Sequence, residues 1–163
     1  MSDRIERDSL GEVKVPATAL FGAQTQRAVQ NFGLWGRVMP GDFIQSLALI
    51  KSAAALANRD CEVLPEAISS AVVAAAAQVV QGGLDEHFPV SVFQTGSGTS
   101  TNMNMNEVLA RLASEASDTS VHPNDHVNCS QSSNDVIPSC IQVTASRALS
   151  PACCRPCANS SPA

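Results

Sequence analysis

The sequence predicts a mainly α-helical domain with a short β-hairpin near the N-terminus. Apolar residues make up 44% of the 163 residues and charged residues 15%, which is typical of a globular domain with a real core. Aromatic residues are only 4% and alanine is abundant, which favours closely packed helices over a β-sandwich. Apolar residues at helical spacing over 43–61, 68–79, 105–116 and 137–148 predict the long helices.

The N-terminal third is predicted to contain the extended structure. Val13 and Val15 alternate with charged residues, so a short strand or hairpin is expected near residues 10–20. A short helix is predicted over residues 23–31. Asp42 follows a Pro-Gly pair and is a candidate N-cap for the first long helix.

Three further helices follow along the chain. The second long helix is predicted to start at Pro65 and to stop at Gly82, and its short connection predicts an antiparallel pair with the preceding helix. A third helix is predicted over residues 102–116. A fourth is predicted to begin near Asn134, with Pro138 in its first turn, where the missing N–H is not needed.

Charge and hydropathy exclude several classes of partner. The formal net charge is −5 and no Lys/Arg cluster occurs, which argues against a nucleic-acid-binding protein. The N-terminus is charged, and the longest apolar-rich stretch, residues 71–80, is too short to span a bilayer. We therefore expect a cytoplasmic protein with neither a nucleic-acid partner nor a membrane partner.

The cysteines predict no redox or metal site. Six are present, and in a reducing compartment they are expected to be free thiols. Cys154 and Cys157 have the Cys-x-x-Cys spacing, but neither a second ligand pair nor a thioredoxin-like context accompanies them.

Two polar, glycine-punctuated segments carry the functional signal. They span residues 95–106 and 122–134, and no ionisable side chain occurs between Ser91 and Asn106. Both segments place small hydroxyl and amide side chains at a predicted helix start, where free N–H groups and the positive end of the helix dipole meet. This chemistry suits a pocket that binds a small anion with neutral donors.

Other readings of these residues fail. The glycines of residues 95–106 fit neither a dinucleotide fingerprint nor a P-loop. Ser97, His122 and Asp125 have no order or neighbours that support a catalytic triad. His122 and His126 lack the partner ligands of a metal site. The remaining alternatives are anion recognition, or side chains that only cap helices and satisfy turns.

The two segments resemble class II fumarases of the fumarase/aspartase superfamily. The resemblance rests on TGSGTSTNMNMNEVL at residues 95–109 and HPNDHVNCSQSSND at residues 122–135. DSLGEVKVP at residues 8–16 and LFGAQTQR at residues 20–27 resemble the N-terminal block of the same family. The similarity extends over about residues 5–148. It implies that the helical domain is the N-terminal domain of that fold.

The resemblance also implies a reaction and a site. Fumarases interconvert fumarate and L-malate without a metal or other cofactor, through a doubly charged aci-carboxylate that preorganised donors stabilise. The expected substrate-binding residues are Ser97, Gly98, Thr99, Ser132, Ser133 and Asn134. The expected residues of a secondary, non-catalytic dicarboxylate site are His122, Pro123, Asn124 and Asp125. Many members have a basic residue three positions before that histidine, whereas this chain has Thr119, which predicts a weak secondary site.

Parts of the family pattern are missing from this sequence. The family's active site is assembled from three subunits of a homotetramer through a central helix bundle. The bundle and the family's catalytic acid and base residues have no counterpart here. Residues 1–149 are therefore expected to form the N-terminal domain, and residues 150–163 an irregular tail of the kind that a frameshift or truncation produces. The alternatives are an aspartate ammonia-lyase-type member and a non-catalytic fragment.

Overall fold

The computed structural model describes residues 2–33, 36–117 and 119–153, except the side chains of 150–153. Within these residues a two-stranded sheet precedes five α-helices, which confirms the predicted mainly α fold. The elements are β1 (Asp3–Asp8), β2 (Gly11–Pro16), α1 (Ala23–Phe32), α2 (Gly41–Asp60), α3 (Glu66–Gln81), α4 (Thr99–Ala116) and α5 (Ser133–Cys153). A 3₁₀ turn (Asp85–His87) precedes α4, and a π-helical turn (Pro123–Val127) precedes α5.

The β-hairpin begins earlier than the sequence predicted. The charged segment β1 pairs antiparallel with β2, in a register that places Asp8 opposite Gly11. Val13 and Val15 point into the core, as their alternation predicted. The Arg4 guanidinium joins the hairpin to the chain that follows, because it donates hydrogen bonds to the Ala19 and Phe21 carbonyls at 2.6 and 2.7 Å.

Helices α2 and α3 form the predicted pair. Ser69 on α3 donates a hydrogen bond to the Ala55 carbonyl of α2, close to the loop that joins the two helices. Gly82 ends α3 with φ of +86°, as expected for a glycine stop. The predicted N-cap role of Asp42 is wrong. Pro40 occupies that position and its carbonyl begins the helix, so Asp42 lies in the first turn without a capping bond.

Helix α4 is the centre of the domain. It begins three residues before the predicted Asn102 and contacts each of the other four α-helices of the described chain. Met105, Val108 and Leu109 are fully buried, and polar side chains on its other faces are buried as well. Between residues 101 and 110 the helix is therefore buried on several faces, which places polar groups inside the protein, where they require partners.

Helix α5 packs against α2. The Cys140 thiol lies 3.4 Å from the Phe43 carbonyl, and Arg147 donates to the Ser46 hydroxyl at 2.9 Å. Pro138 does not lie in the first turn as predicted: it is the sixth residue of α5, so the i→i−4 hydrogen bond to the Asn134 carbonyl is absent.

The predicted boundary at residues 149/150 does not coincide with the end of α5. The helical backbone runs on to Cys153. Residues 154–163 lie outside the described chain, and so does the Cys154/Cys157 pair. The irregular tail therefore stays a prediction.

Two further observations concern the thiols and the helices of the described residues. Cys61, Cys129 and Cys140 are free thiols, and burial raises the pKa of Cys140 to about 11. None of the described helices is long and apolar enough to cross a bilayer.

Candidate anion site at two helix N-termini

The first polar segment forms the N-terminus of α4. Gly98 is its N-cap, with a φ of +66°, a backbone conformation that residues other than glycine rarely adopt. Gln94 accepts a hydrogen bond from the Thr101 N–H at 2.9 Å and donates to its hydroxyl at 2.6 Å. The N–H groups of Thr99 and Ser100 are the first two of the helix, and such groups have no acceptor within the helix.

The second polar segment forms the N-terminus of α5. The Ser132 carbonyl accepts from the N–H groups of Asp135 and Val136 at 3.1 and 2.9 Å. The Ser132 hydroxyl accepts from the Asn134 N–H at 3.3 Å. Ser132 therefore caps α5, while Ser132 and Asn134 also expose their side chains to solvent.

The fold brings these two helix starts into contact. A Cβ added to Gly98 would lie 3.0 Å from Ile137 Cγ2, so the N-cap of α4 sits directly against the first turns of α5. Asn102 on α4 donates from Nδ2 to the Ser133 hydroxyl at 3.0 Å. The six predicted substrate-binding residues therefore lie on two helix N-termini that touch each other.

Side-chain hydroxyl groups of both polar segments lie at the two helix N-termini. Ser97 and Thr99 lie 2.8 Å apart through their side-chain oxygens, and Thr99 is exposed. Two helix dipoles direct their positive ends to this place, which favours a negative charge there. Anion binding by the predicted residues stays a prediction, and two of them, Gly98 and Ser132, cap the helices.

Sequence reasoning missed the polar side chains behind the site. Lys51 on α2 is fully buried, and its Nζ donates to Asn128 Oδ1 at 3.0 Å and to Gln131 Oε1 at 2.9 Å. Burial lowers the pKa of Lys51 to about 7. Asn102 and Asn106 also donate to Asn128 Oδ1, at 3.0 and 3.2 Å. The sequence did contain a signal for this buried lysine, because Lys51 interrupts the apolar stripe of its helix one turn after Leu47.

The predicted secondary site lies on a separate cleft of about 580 Å³. His122, Pro123 and Asn124 line one wall of this cleft, while Asp125 does not line it. Asp125 instead approaches the His122 Nδ1 atom, with its N–H at 3.2 Å and its Oδ2 at 3.0 Å. The two contacts are alternatives, because Nδ1 accepts when unprotonated and donates when protonated.

Arginines from the hairpin and from α4 also line this cleft. Thr119, where many family members have a basic residue, is not among the lining residues. Arg4 and Arg7 of the hairpin and Arg111 of α4 line the cleft together with acidic Glu6, Asp8 and Glu107. Arg111 forms an ion pair with Glu115, and Arg4 with Glu6. The cleft therefore has mixed charge rather than a cationic surface.

The histidines and Ser97 have the following contacts in the described chain. The Nδ1 atoms of His122 and His126 both accept from backbone N–H groups, at 3.2 and 2.9 Å. Ser97 bonds to Thr99 rather than to a histidine. Among the described residues, no group of three His, Cys, Asp or Glu side chains is placed to hold a metal ion.

Comparison with known proteins agrees with the resemblance predicted from the motifs. The Lyase family model, Lyase_1, matches residues 11–153. A class II fumarate hydratase of Pseudomonas aeruginosa is 56% identical over 147 residues, which cover 90% of this chain and 32% of that protein. The class II fumarate hydratase of Xylella fastidiosa is 53% identical over 146 residues, with 90% and 31% covered.

Solved structures give the same result for the fold. The class II fumarase of Schistosoma mansoni superposes with a TM-score of 0.85 at 44% identity, covering 88% of this chain and 32% of that one. The fumarate lyase:delta crystallin of Brucella melitensis gives a TM-score of 0.83 at 45% identity, with 88% and 35% covered. The chain thus spans about a third of the length of the curated relatives it matches. It belongs to the lyase family, and within that family it resembles the class II fumarate hydratases.

Proposed function

We propose that this chain carries one subunit's share of the dicarboxylate site of a fumarate hydratase, which interconverts fumarate and L-malate. The observation that carries the proposal is the contact between the α4 and α5 N-termini, through Gly98 with Ile137 and Asn102 with Ser133. The contact gathers hydroxyl and amide donors at the positive ends of two helices. The similarity to class II fumarate hydratases, at 51–56% identity in the curated relatives, supports the choice of substrate.

The role of the donors follows from the chemistry of the reaction. Removal of a proton beside a carboxylate places a second negative charge on that carboxylate. Fixed hydroxyl and backbone N–H donors stabilise such a charge without reorganising, which is the main source of rate acceleration in sites of this kind. Ser97 and Thr99 at one helix start, and Ser132 to Asn134 at the other, are proposed to bind the substrate carboxylates. They supply binding and charge stabilisation rather than the acid or base.

The rest of the site is proposed to come from outside these residues. The proposal includes the family's homotetramer, a cytoplasmic location and a secondary dicarboxylate site at His122, Pro123, Asn124 and Asp125. Because the chain spans about a third of its relatives, we expect the 163-residue chain alone to show no hydratase activity. Substantial turnover by the purified chain in a coupled malate assay would contradict that expectation.

Ligand binding tests the share of the site that this chain holds. Titration of the ¹⁵N-labelled chain with fumarate, L-malate and L-aspartate, followed by NMR, is expected to shift the amide signals of residues 97–99 and 132–134. Thr99→Ala and Asn134→Ala should weaken binding of fumarate several-fold, because each removes an exposed donor at the site. Ser139→Ala, on the exposed side of α5, is the matched control and should leave binding unchanged.

The pattern of shifts distinguishes the alternatives. Shifts confined to residues 122–125 would place the ligand in the secondary cleft alone. Selective binding of L-aspartate would favour the ammonia-lyase alternative. The absence of any shift at residues 97–99 and 132–134 would refute the proposed site in this chain.

A further inference from the structure

A fully buried lysine lies behind a site that has no charged side chain of its own. The ammonium group of Lys51 has 0% exposure and donates to two neutral carboxamides, Asn128 and Gln131. No carboxylate of the described residues forms an ion pair with it, and burial is the sole cause of its lowered pKa. A buried charge without a counter-charge is costly.

Hydrogen bonds connect this ammonium group to the anion site. Asn128 Oδ1 accepts from Lys51 Nζ and from Asn102 Nδ2, both at 3.0 Å. The same Asn102 amide donates to the Ser133 hydroxyl at 3.0 Å. Lys51 is also connected to the site through Gln131, its other acceptor, because Gln131 immediately precedes Ser132 in the sequence. The lysine therefore contacts the second polar segment directly, and the Asn128 and Asn102 amides separate it from the Ser133 hydroxyl.

The carboxamides of Asn128, Asn102 and Asn106 form one connected group around the lysine. Asn128 turns its oxygen towards Lys51, and its Nδ2 donates to the Gln131 carbonyl at 3.1 Å. Asn102 and Asn106 consequently face that oxygen with their own NH₂ groups, while their Oδ1 atoms are buried without a protein partner. The ammonium group thus contacts the same Asn128 oxygen that the Asn102 and Asn106 amides face.

We propose that Lys51 is a positioning residue of the anion site: it orients Asn128 and Asn102 behind Ser133 and supplies, from behind these amides, the positive charge that the site lacks. The proposed role of the Lys51 charge in anion binding rests on the proposed dicarboxylate function. The positioning part concerns the ligand-free chain and can be tested without a ligand.

The proposal predicts that binding depends on pH. A dianion near Lys51 favours its protonated form, so binding is expected to take up a proton near pH 7 and to weaken as the pH rises. The groups that face the ammonium from the loop and from α4, which are carboxamides, do not titrate. The titratable side chains nearest in sequence to these carboxamides are Glu107 on α4, His126 and Cys129 before and in the loop, and Asp135 on α5. No charged group of the described chain adds a Coulombic shift to the pKa of Lys51.

The test measures fumarate binding to the full 163-residue chain by NMR titration at about pH 6 and about pH 8.5, where fumarate stays a dianion. The variants are Lys51→Arg, which keeps its charge at both pH values, and Lys51→Met, which has none. Lys14→Met is the matched control, because Lys14 is the only other lysine and lies exposed on β2.

A shift of one pKa unit on binding corresponds to about tenfold weaker binding by the wild-type chain at the higher pH. Lys51→Met should bind about tenfold more weakly than wild type at pH 6, and neither Lys51 variant should keep the pH dependence. Lys14→Met should behave as wild type.

A measurement without ligand tests whether Lys51 orients Asn102 and Asn128. The side-chain NH₂ signals of Asn102 and Asn128 are expected to shift with pH at the same midpoint as the Lys51 Nζ and Cε signals. This needs no variant, so it holds even if Lys51→Met fails to fold. Amide signals that ignore the lysine titration would overturn the positioning role.

The outcomes separate this inference from the proposed function. Fumarate binding that is equal in wild type and Lys51→Met at both pH values would overturn the inference and leave the function standing. A wild-type chain that binds no fumarate would overturn the proposed site and the charge role together, while the ligand-free signals still decide the positioning role.

Discussion

A buried carboxylate on α4 tests how distant parts of this chain hold each other in place. Glu107 is only 9% exposed and accepts hydrogen bonds from the N–H groups of Gly22, Gln24 and Thr25 at 2.9, 3.0 and 3.1 Å. These groups belong to the start of α1, which has no side-chain cap and no acidic residue in its first turn. Glu107 therefore caps α1 from another helix, and its negative charge opposes the positive end of the α1 dipole.

We expect Glu107→Gln to lower the free energy of unfolding by about 2–4 kcal/mol. Oε2 accepts two of the three bonds, so the new amide nitrogen is best tolerated at the Oε1 position, opposite the Gln24 N–H. That donor is then left unsatisfied, at a cost of about 1–3 kcal/mol. The two remaining bonds lose their charge, and charge-assisted bonds are roughly twice as strong as neutral ones.

Urea unfolding followed by circular dichroism measures this change. The matched control is Glu115→Gln on the same helix, where the side chain is 52% exposed and pairs with Arg111. Its effect is expected to stay within about 0.5 kcal/mol. In Glu107→Gln, but not in the control, the amide signals of Gly22, Gln24 and Thr25 should shift. A loss of stability no larger than that of the control would refute the capping role.

Three further predictions concern stability. Gly98→Ala should cost about 1–3 kcal/mol in urea unfolding, because its φ is +66° and the new Cβ would lie 3.0 Å from an α5 isoleucine; Gly96→Ala, with open space around it, should be tolerated far better. The Arg27 guanidinium lowers the pKa of Asp8, so this pair should stabilise the fold above the ordinary pKa of Asp and lose that effect as the pH falls through the lowered value. Asp8→Asn should reduce the loss of stability measured between mildly and strongly acidic pH. Because burial lowers the pKa of Lys51 from 10.5 to about 7, the unfolded chain holds this proton at pH values where the folded chain has released it. Stability should therefore rise between those values by at most about 1.4 kcal/mol per pH unit, and a pH series of unfolding curves for Lys51→Met should lack this rise.

The elements predicted best are those whose signal is local. Helices α2 and α3 repeat apolar residues at helical spacing, and the structure buries that stripe, with Leu47 and Val72 fully inaccessible. The motifs at residues 95–109 and 122–135 likewise identified the family before any contact was known. Each of these signals lies within one continuous segment of chain.

The errors arise where a local rule was overridden. Asp42 has the right residue type for an N-cap, but Pro40 begins the helix two residues earlier. Pro138 was expected in a first turn, but Ser132 caps α5 and moves the proline to the sixth position. The charged strand β1 carries no apolar alternation of its own and becomes a strand by pairing with β2.

The sequence by itself determined the mainly helical fold, the family and the neutral, donor-rich chemistry of the two polar segments. Tertiary structure alone decided that these segments meet and that Glu107 caps α1 by a bond to Gly22, 85 residues away. It also decided that Lys51 lies behind the candidate anion site, through a bond to Asn128, 77 residues away. The physical reason is the distance along the chain over which each interaction acts. Periodicity and capping act over a few neighbouring residues, whereas a buried charge finds its partners only after the chain has folded and removed it from water.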